Sequence, residues 1–284
     1  MKEYIVLSRT NGVTRNNSPY IQLRVTDGEQ PMNISIWDIP ANEGPCIGQL
    51  VSFYNIKDYM GKKSCGRLEM HEGELANENH PLYDQLPRPI SREKWDATMQ
   101  GLLRFCNDEE LISLISEFSQ KLYTPYSRYP AATNVHHAFP GGLLNHTYQM
   151  LHMLEGLYPC LPYPIKVERC ILSILFHDYG KLFEYNPQGE TLPEMYLLGH
   201  IYIGAHKLQN ELEKRGVDAE ETKRIIHCIL SHHGMREYGS PVLPCLQEAS
   251  IVSYLDNISA KTDTMEGAGE MEYVNALGTH VIKG

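Results

Sequence analysis

The hydrophobic period of this chain changes once, and that change limits what it can fold into. Through residue 75 the apolar residues recur at every second position. Tyr20-Ile21-Gln22-Leu23-Arg24-Val25 alternates, Asp27-Gly28 supplies a turn, and Asn33-Ile34-Ser35-Ile36-Trp37 alternates again. From Ser91 onward the apolar residues recur at spacings of three and four, one face of a helix. A strand turns its side chains to opposite faces at each residue, whereas a helix takes about 3.6 residues per turn, so one element cannot serve both patterns. The chain therefore reads as a β piece followed by an α piece.

In the first piece, Val51-Ser52-Phe53-Tyr54-Asn55-Ile56 and Ser64–Met70 look like further strands around a turn at Met60-Gly61-Lys62-Lys63. Short strands with turns at this spacing predict a small antiparallel barrel or sandwich over 1–75, with an oligonucleotide-binding (OB-like) barrel the favoured version. Residues 76–90 are polar and proline-rich and read as a linker. The stretch 91–262 reads as all-α. Ser91 can cap its first helix, and Asn107 with Glu110 forms a capping-box-like start for Leu111, Ile112, Leu114, Ile115 and Phe118. Further helices are predicted over about 141–157, 165–177, 199–215, 219–232 and 244–260, with Gly216 ending one and Asp218 and Glu221 starting the next. The tail, 263–284, is weakly patterned. The expected class is multidomain, an N-terminal antiparallel β-barrel followed by an all-α domain.

Apolar runs are short and interrupted, far below the ~20 residues that span a bilayer, and the start Met1-Lys2-Glu3-Tyr4-Ile5-Val6-Leu7 lacks an export signal. The expectation is a cytoplasmic protein with no membrane partner. The seven cysteines are odd in number, widely spaced and never form CxxC, which argues against a disulfide framework or a cysteine zinc site. A formal net charge of −10 argues against tight non-specific duplex binding. The charge is uneven, because residues 1–70 carry 8 Lys+Arg against 7 Asp+Glu, leaving 17 against 28 for the rest. A near-neutral first piece can still touch nucleic acid locally.

Histidine usage is the sharper signal, since ten of the thirteen fall between 136 and 233. The apolar run Ile171-Leu172-Ser173-Ile174-Leu175-Phe176 ends in His177-Asp178, then Tyr179-Gly180-Lys181. Two polar groups at the end of a buried helix need partners, because burying them unpaired costs several kcal/mol. They either cap the helix or bind a metal. His146 falls on the apolar face of the helix opened by Gly141-Gly142-Leu143-Leu144, His200 follows Gly199 at a helix start, and His232-His233 close another helix. Asp256 lies within the apolar stretch 251–258, where an unpaired charge is costly. Each residue alone has an ordinary structural explanation, but five elements repeating the same anomaly point to one divalent-metal site.

The order His146, His177-Asp178, His200, His232-His233, Asp256 resembles the HD-domain metallohydrolase superfamily. The resemblance implies an all-helical domain in which His146, His177, Asp178 and Asp256 bind one metal. It also implies that Asp178 bridges to a second metal held by His200 and His232, with Lys181 and His233 on the phosphate side. A ligand set without cysteine suits two divalent ions, with Mn²⁺ favoured and Fe²⁺ or Mg²⁺ as alternatives. The run His136-His137-Ala138-Phe139-Pro140-Gly141-Gly142-Leu143-Leu144-Asn145-His146-Thr147, with Phe176–Tyr185, Leu198–Ile201 and Ile229–Gly234, is similar to the YhaM-type 3′-to-5′ exoribonucleases, which join an OB barrel to an HD domain. Asn145 departs from that pattern, which usually has Glu there.

These residues imply a metal-dependent phosphodiesterase on single-stranded nucleic acid, most simply RNA degraded from its 3′ end. Two ions ~3.5–4 Å apart activate water and clamp a phosphoryl displacement. Alternatives are a nucleotide or cyclic-dinucleotide phosphohydrolase whose barrel serves assembly, and a non-catalytic nucleic-acid-binding module. His137 and Arg128 are candidates to line the cleft. On the barrel, Tyr20, Trp37 and Tyr54 are candidates for stacking on bases, and Lys57, Lys62, Lys63 and Arg67 for following the backbone, with Phe53 better read as core. Oligomers are common in such enzymes by resemblance, so a homo-oligomer is a further expectation.

Overall fold

The structure, a computed structural model, describes residues 2–283 except 30, 41–42, 60–61, 76–79, 133–135, 187–190 and 272. It divides into two compact units, Met1–Arg88 and Pro89–Gly284.

The first unit is built on seven strands: β1 Tyr4–Val13, β2 Pro19–Thr26, β3 Met32–Trp37, β4 Gln49–Tyr54, β5 Lys57–Tyr59, β6 Lys62–Ser64 and β7 Arg67–Leu75. In β2 the alternation works as read, with Ile21, Leu23 and Val25 fully buried and Gln22 exposed between them. Together with Val6, Ile34, Ile36 and Val51 they form the core of this unit. A register shift between Val6 and Ser8 lets β1 pair with β2 along its length and with β4 at its start.

Two expectations for this unit are corrected. The sheet order is β5-β6-β3-β2-β1-β4-β7, a curled half-barrel whose end strands do not pair among the described residues; it is OB-like but not closed. Nor is it wholly antiparallel, because β6 lies parallel to β3 (Ile34 opposite Lys63, Ser35 opposite Ser64). The reason is the β5–β6 hairpin, whose polar, unalternating Lys57-Asp58-Tyr59 and Lys62-Lys63-Ser64 carry no strand signal. Met60 and Gly61 of the expected turn lie outside the described residues, and Lys62 and Lys63 belong to β6. The expected linker is also partly displaced. Residues 76–79 lie outside the described set, but Leu82 is buried against Ile5 with Leu86 beside it, so this segment packs on the first unit.

The second unit is helical: α1 Arg92–Leu103, α2 Glu109–Tyr126, α3 Gly142–Leu157, α4 Val167–Phe176, α5 Lys181–Glu184, α6 Glu194–Leu197, α7 His200–Arg215, α8 Ala219–Leu230 and α9 Gln247–Gly267. Ser91 caps α1 and Asp218 caps α8, and Gly216 ends α7 at φ 78°. The cap of α2 is Asp108, whose side chain accepts from Leu111 N, and not Asn107. The Asn107 N–H is instead taken by the buried Glu168 Oε1 at 2.6 Å. α4 is buried over almost all of its surface and packs against α2, α3, α7, α8 and α9. The run Ile171–Phe176 that closes it, apolar but for the buried Ser173, is what a central helix requires. Each of Ile171, Leu172, Ile174, Leu175 and Phe176 is at most 1% exposed, and such burial stabilises by about 1.5–3 kcal/mol per side chain. The end of α4 therefore delivers His177 and Asp178 into the interior.

Beyond residue 262, α9 continues to Gly267, and a short hairpin follows, β8 Tyr273–Val274 with β9 Thr279–His280. Val281 is buried, and Lys283 Nζ donates to the carbonyls of Met265 and Glu266. Among the described residues, no helix is long and apolar enough to cross a membrane.

Candidate metal centre

Five histidines direct a ring nitrogen into the space around Asp178, and their other nitrogens explain why. His177 Nδ1 donates to Ile174 O (2.8 Å), His232 Nδ1 to Ile229 O (2.7 Å) and His233 Nδ1 to Tyr238 O (2.6 Å). His200 Nδ1 faces both oxygens of the buried Glu184 carboxylate at 3.2 Å, and Glu184 also accepts the His200 N–H. His146 Nδ1 meets Ser259 Oγ at 2.8 Å, and Ser259 spends its own proton on Gln149 Oε1 at 2.7 Å. In every case Nδ1 faces an acceptor and holds a proton, so Nε2 is the nitrogen turned toward the site and is a bare lone pair whenever the ring is neutral. Fixing the tautomer through the far nitrogen is how proteins prepare imidazoles for metals.

The bare nitrogens fall into two sets. His146 Nε2 lies 3.1 Å from His177 Nε2 and 3.2 Å from Asp256 Oδ1. In the second set, ring nitrogens of His200, His232 and His233 lie within 4.8 Å of one another. Asp178 stands between the sets. Its Oδ2 is 3.4 Å from His177 Nε2 and 3.7 Å from His146 Nε2, and its Oδ1 is 3.7 Å from His200 Nε2. Asp178 Oδ1, His200 Nε2 and His232 Nε2 are all buried without a hydrogen-bond partner. Two lone pairs 3.1 Å apart repel unless a positive charge lies between them. The donor set, imidazole and carboxylate without cysteine, fits divalent ions.

The charges agree with this. Burial works against ionising Asp178 and Asp256, yet Lys181 and His177 hold Asp178 well below the carboxylate range, and His146 does the same for Asp256. Burial and neighbouring imidazoles push His232 and His233 down, so both rings are neutral near pH 7. Burial opposes a charge on His177, but Asp178 outweighs it and raises the ring.

Most of the residues singled out in the sequence are brought together here: His146, His177, Asp178, Lys181, His200, His232, His233 and Asp256. Lys181 is buried, with Nζ 2.7 Å from Asp178 Oδ2. His233 is expected on the phosphate side. Its bond to Tyr238 puts the proton on Nδ1, so Nε2 of the neutral ring has none to donate, and a ring nitrogen of His233 lies within 4.8 Å of those of His200 and His232, a group that could hold an ion. His137 lies beside His146, with ring centroids 5.4 Å apart. Arg128 follows α2 with an exposed side chain, and no described contact joins it to the histidines. Asn145 Oδ1 accepts from Ile90 N at 2.8 Å, tying α3 to the chain entering α1. In the first unit, Tyr20 and Trp37 pair across β2 and β3 with centroids 5.2 Å apart, and Trp37 is half exposed. Tyr54 donates to Glu69 beneath Arg67, and Lys57 and Lys62 are exposed on the β5–β6 hairpin.

Sequence reasoning missed the supporting groups Glu184, Ser259 and Gln149. A carboxylate inside the motif running from Lys181 to Tyr185 was the one available signal. Glu184→Gln is expected to weaken divalent-ion affinity about 10–100-fold, which titration calorimetry would read. Gly180 is a second silent requirement, because a Cβ there would collide with the backbone of His200. Gly180→Ala is expected to lower stability by about 1–3 kcal/mol through overpacking and to weaken ion binding at His200. Thermal melts with and without added ion separate the two effects.

The model of the HD domain matches residues 143–261. Relatives named 3′-5′ exoribonuclease YhaM are 29% identical over 276 residues in Bacillus pumilus, 30% over 275 in Bacillus velezensis and 31% over 281 in Bacillus licheniformis. Each alignment covers 94% of this chain and 86% of the relative. No solved structure matches significantly.

Proposed function

Because the chain belongs to the HD-domain superfamily and, within it, to the family of YhaM 3′-5′ exoribonucleases, we propose that it is a metal-dependent phosphodiesterase that shortens single-stranded RNA from the 3′ end. The observation that carries this reading is the Asp178 carboxylate shared between two sets of bare imidazole nitrogens. His146, His177, Asp178 and Asp256 would hold one divalent ion; Asp178, His200, His232 and His233 would hold the second. Such ions, with Mn²⁺ the favoured choice, supply an activated water nucleophile and a clamp on the phosphoryl group.

The chain's own residues do the rest. Glu184, Ser259 and the carbonyls of Ile174, Ile229 and Tyr238 keep five rings aimed and in one tautomer. Lys181 spends one of its three Nζ donors on Asp178 and offers the others to a non-bridging phosphate oxygen. The bond broken joins phosphorus to the 3′ oxygen of the penultimate nucleotide, releasing a nucleoside 5′-monophosphate and a strand with a new 3′ hydroxyl. The Tyr20–Trp37 pair offers base stacking, worth about 1–3 kcal/mol per base, and Lys57 and Lys62 offer charge to the strand backbone.

The test uses RNA labelled at its 5′ end. With Mn²⁺ the wild-type protein should give a ladder of progressively shorter labelled strands, and Tyr20→Ala/Trp37→Ala should weaken binding of long strands more than of dinucleotides. Intact RNA alongside cleaved nucleotides or cyclic dinucleotides would replace this reading with a small-substrate phosphohydrolase. Intact substrates of both kinds would leave a non-catalytic module.

A further inference from the structure

His136 and His137 crowd the first histidine set without belonging to the ligand sets above. Their ring centroids lie 5.1 and 5.4 Å from that of His146, and a ring nitrogen of each of the three lies within 4.8 Å of the others. His137 is 2% exposed. Three nitrogens, His136 Nδ1 and both of His137, are buried with no well-formed hydrogen bond, the Gln149 amide being the one side chain that acts on the His137 ring as a weak hydrogen-bond partner.

The backbone is arranged to put them there. His137 adopts φ 46°, in the left-handed region that a side chain of this size rarely enters. Asp263 Oδ2 accepts its N–H at 2.5 Å, and its carbonyl accepts from Ala131 N at 3.1 Å and Phe139 N at 2.9 Å. Gly142 lies so close to that carbonyl that any Cβ would collide with it. Strain held this firmly around unpaired groups implies a ligand.

The chemistry narrows the ligand. Asp263 Oδ1 lies 3.6 Å from His137 Nε2, too far for a hydrogen bond but close enough to favour the proton on that nitrogen. His137 Nδ1 is then a lone pair, which repels a phosphate oxygen. A hydroxyl has one proton and would satisfy only one of the converging nitrogens, whereas a cation satisfies both. His146 Nε2 is already turned to His177 and Asp256. We infer that His136 and His137 bind a further cation at a position of their own beside His146. Imidazole donors select a zinc-, cobalt-, iron(II)- or manganese-type ion over magnesium. The inference extends the metal reading proposed above and rests on it.

Counting ions tests it. The full chain is dialysed to equilibrium against Co²⁺, and ions per chain are measured by plasma mass spectrometry. His136→Ala and His137→Gln should each lose one equivalent relative to wild type, with unchanged circular dichroism, and His136→Ala/His200→Ala should lose two. Equal Co²⁺ content in wild type and both single variants overturns the inference, and weaker inorganic phosphate binding in those variants would move the pair to the substrate. A wild type that binds no Co²⁺ at all would overturn the proposed metal function too, so the two failures can be told apart.

Discussion

Asp178→Ala is expected to reduce RNA shortening at least about 10³-fold, because in the proposed function it removes the carboxylate that would be shared by both ions. It should also destabilise the metal-free protein. Lys181 is 7% exposed, and its nearest counter-charge is Asp178 at 2.7 Å. Burial disfavours the lysine charge, but Asp178 outweighs it and raises the ammonium above its ordinary range, so it is charged at neutral pH. Removing one partner of a buried pair costs about 3–5 kcal/mol, and denaturant midpoints would show it. Asp178→Asn keeps the volume and should show both losses. A variant as active as wild type, or as stable without metal, would contradict this use of Asp178.

Lys181→Met separates positioning the phosphate from holding the ions. The substitution keeps the volume and removes the charge. A preorganised donor lost from the transition state costs about 10²–10³ in kcat, and that loss is expected here with ion affinity unchanged or tighter. The metal-free variant should be less stable by about 3–5 kcal/mol, since Asp178 loses its buried partner, and Mn²⁺ should recover most of the loss. Full kcat with a weakened ion site would make Lys181 a structural counter-ion only.

How legible these features were depends on whether a residue contradicts its local pattern. His146, His177 and Asp256 stand out as polar residues where an apolar helix face expects none, and the structure brings them within 3.1–3.2 Å of one another through His146. His200 and His232 carried the weaker signal of helix ends. Glu184 had only its place inside the Lys181–Tyr185 motif to mark it, and Ser259, Gln149 and Asp263 carried no signal, because each becomes a partner only through a contact more than a hundred positions away, such as His146 with Ser259. The proton on His233 was illegible although its partner is near in sequence, because the short turn that brings the Tyr238 carbonyl onto Nδ1 decides it. In the first unit, the alternation of β2 and β3 was readable. The β5–β6 hairpin was not, since an exposed polar edge has no hydrophobic face to mark its period, and its parallel seat beside β3 is a tertiary choice. The weakly patterned tail gave no sign of its order, which comes from one buried residue, Val281, and from Lys283 reaching two helix-end carbonyls.

The most direct measurement is anomalous X-ray diffraction from crystals of the protein equilibrated with Mn²⁺, recorded at the manganese edge. The prediction is a peak among His146, His177, Asp178 and Asp256 and another among Asp178, His200, His232 and His233, both absent from Asp178→Ala. No peak at either position, with the histidine rings where they stand in the metal-free protein, would contradict a metal centre at Asp178.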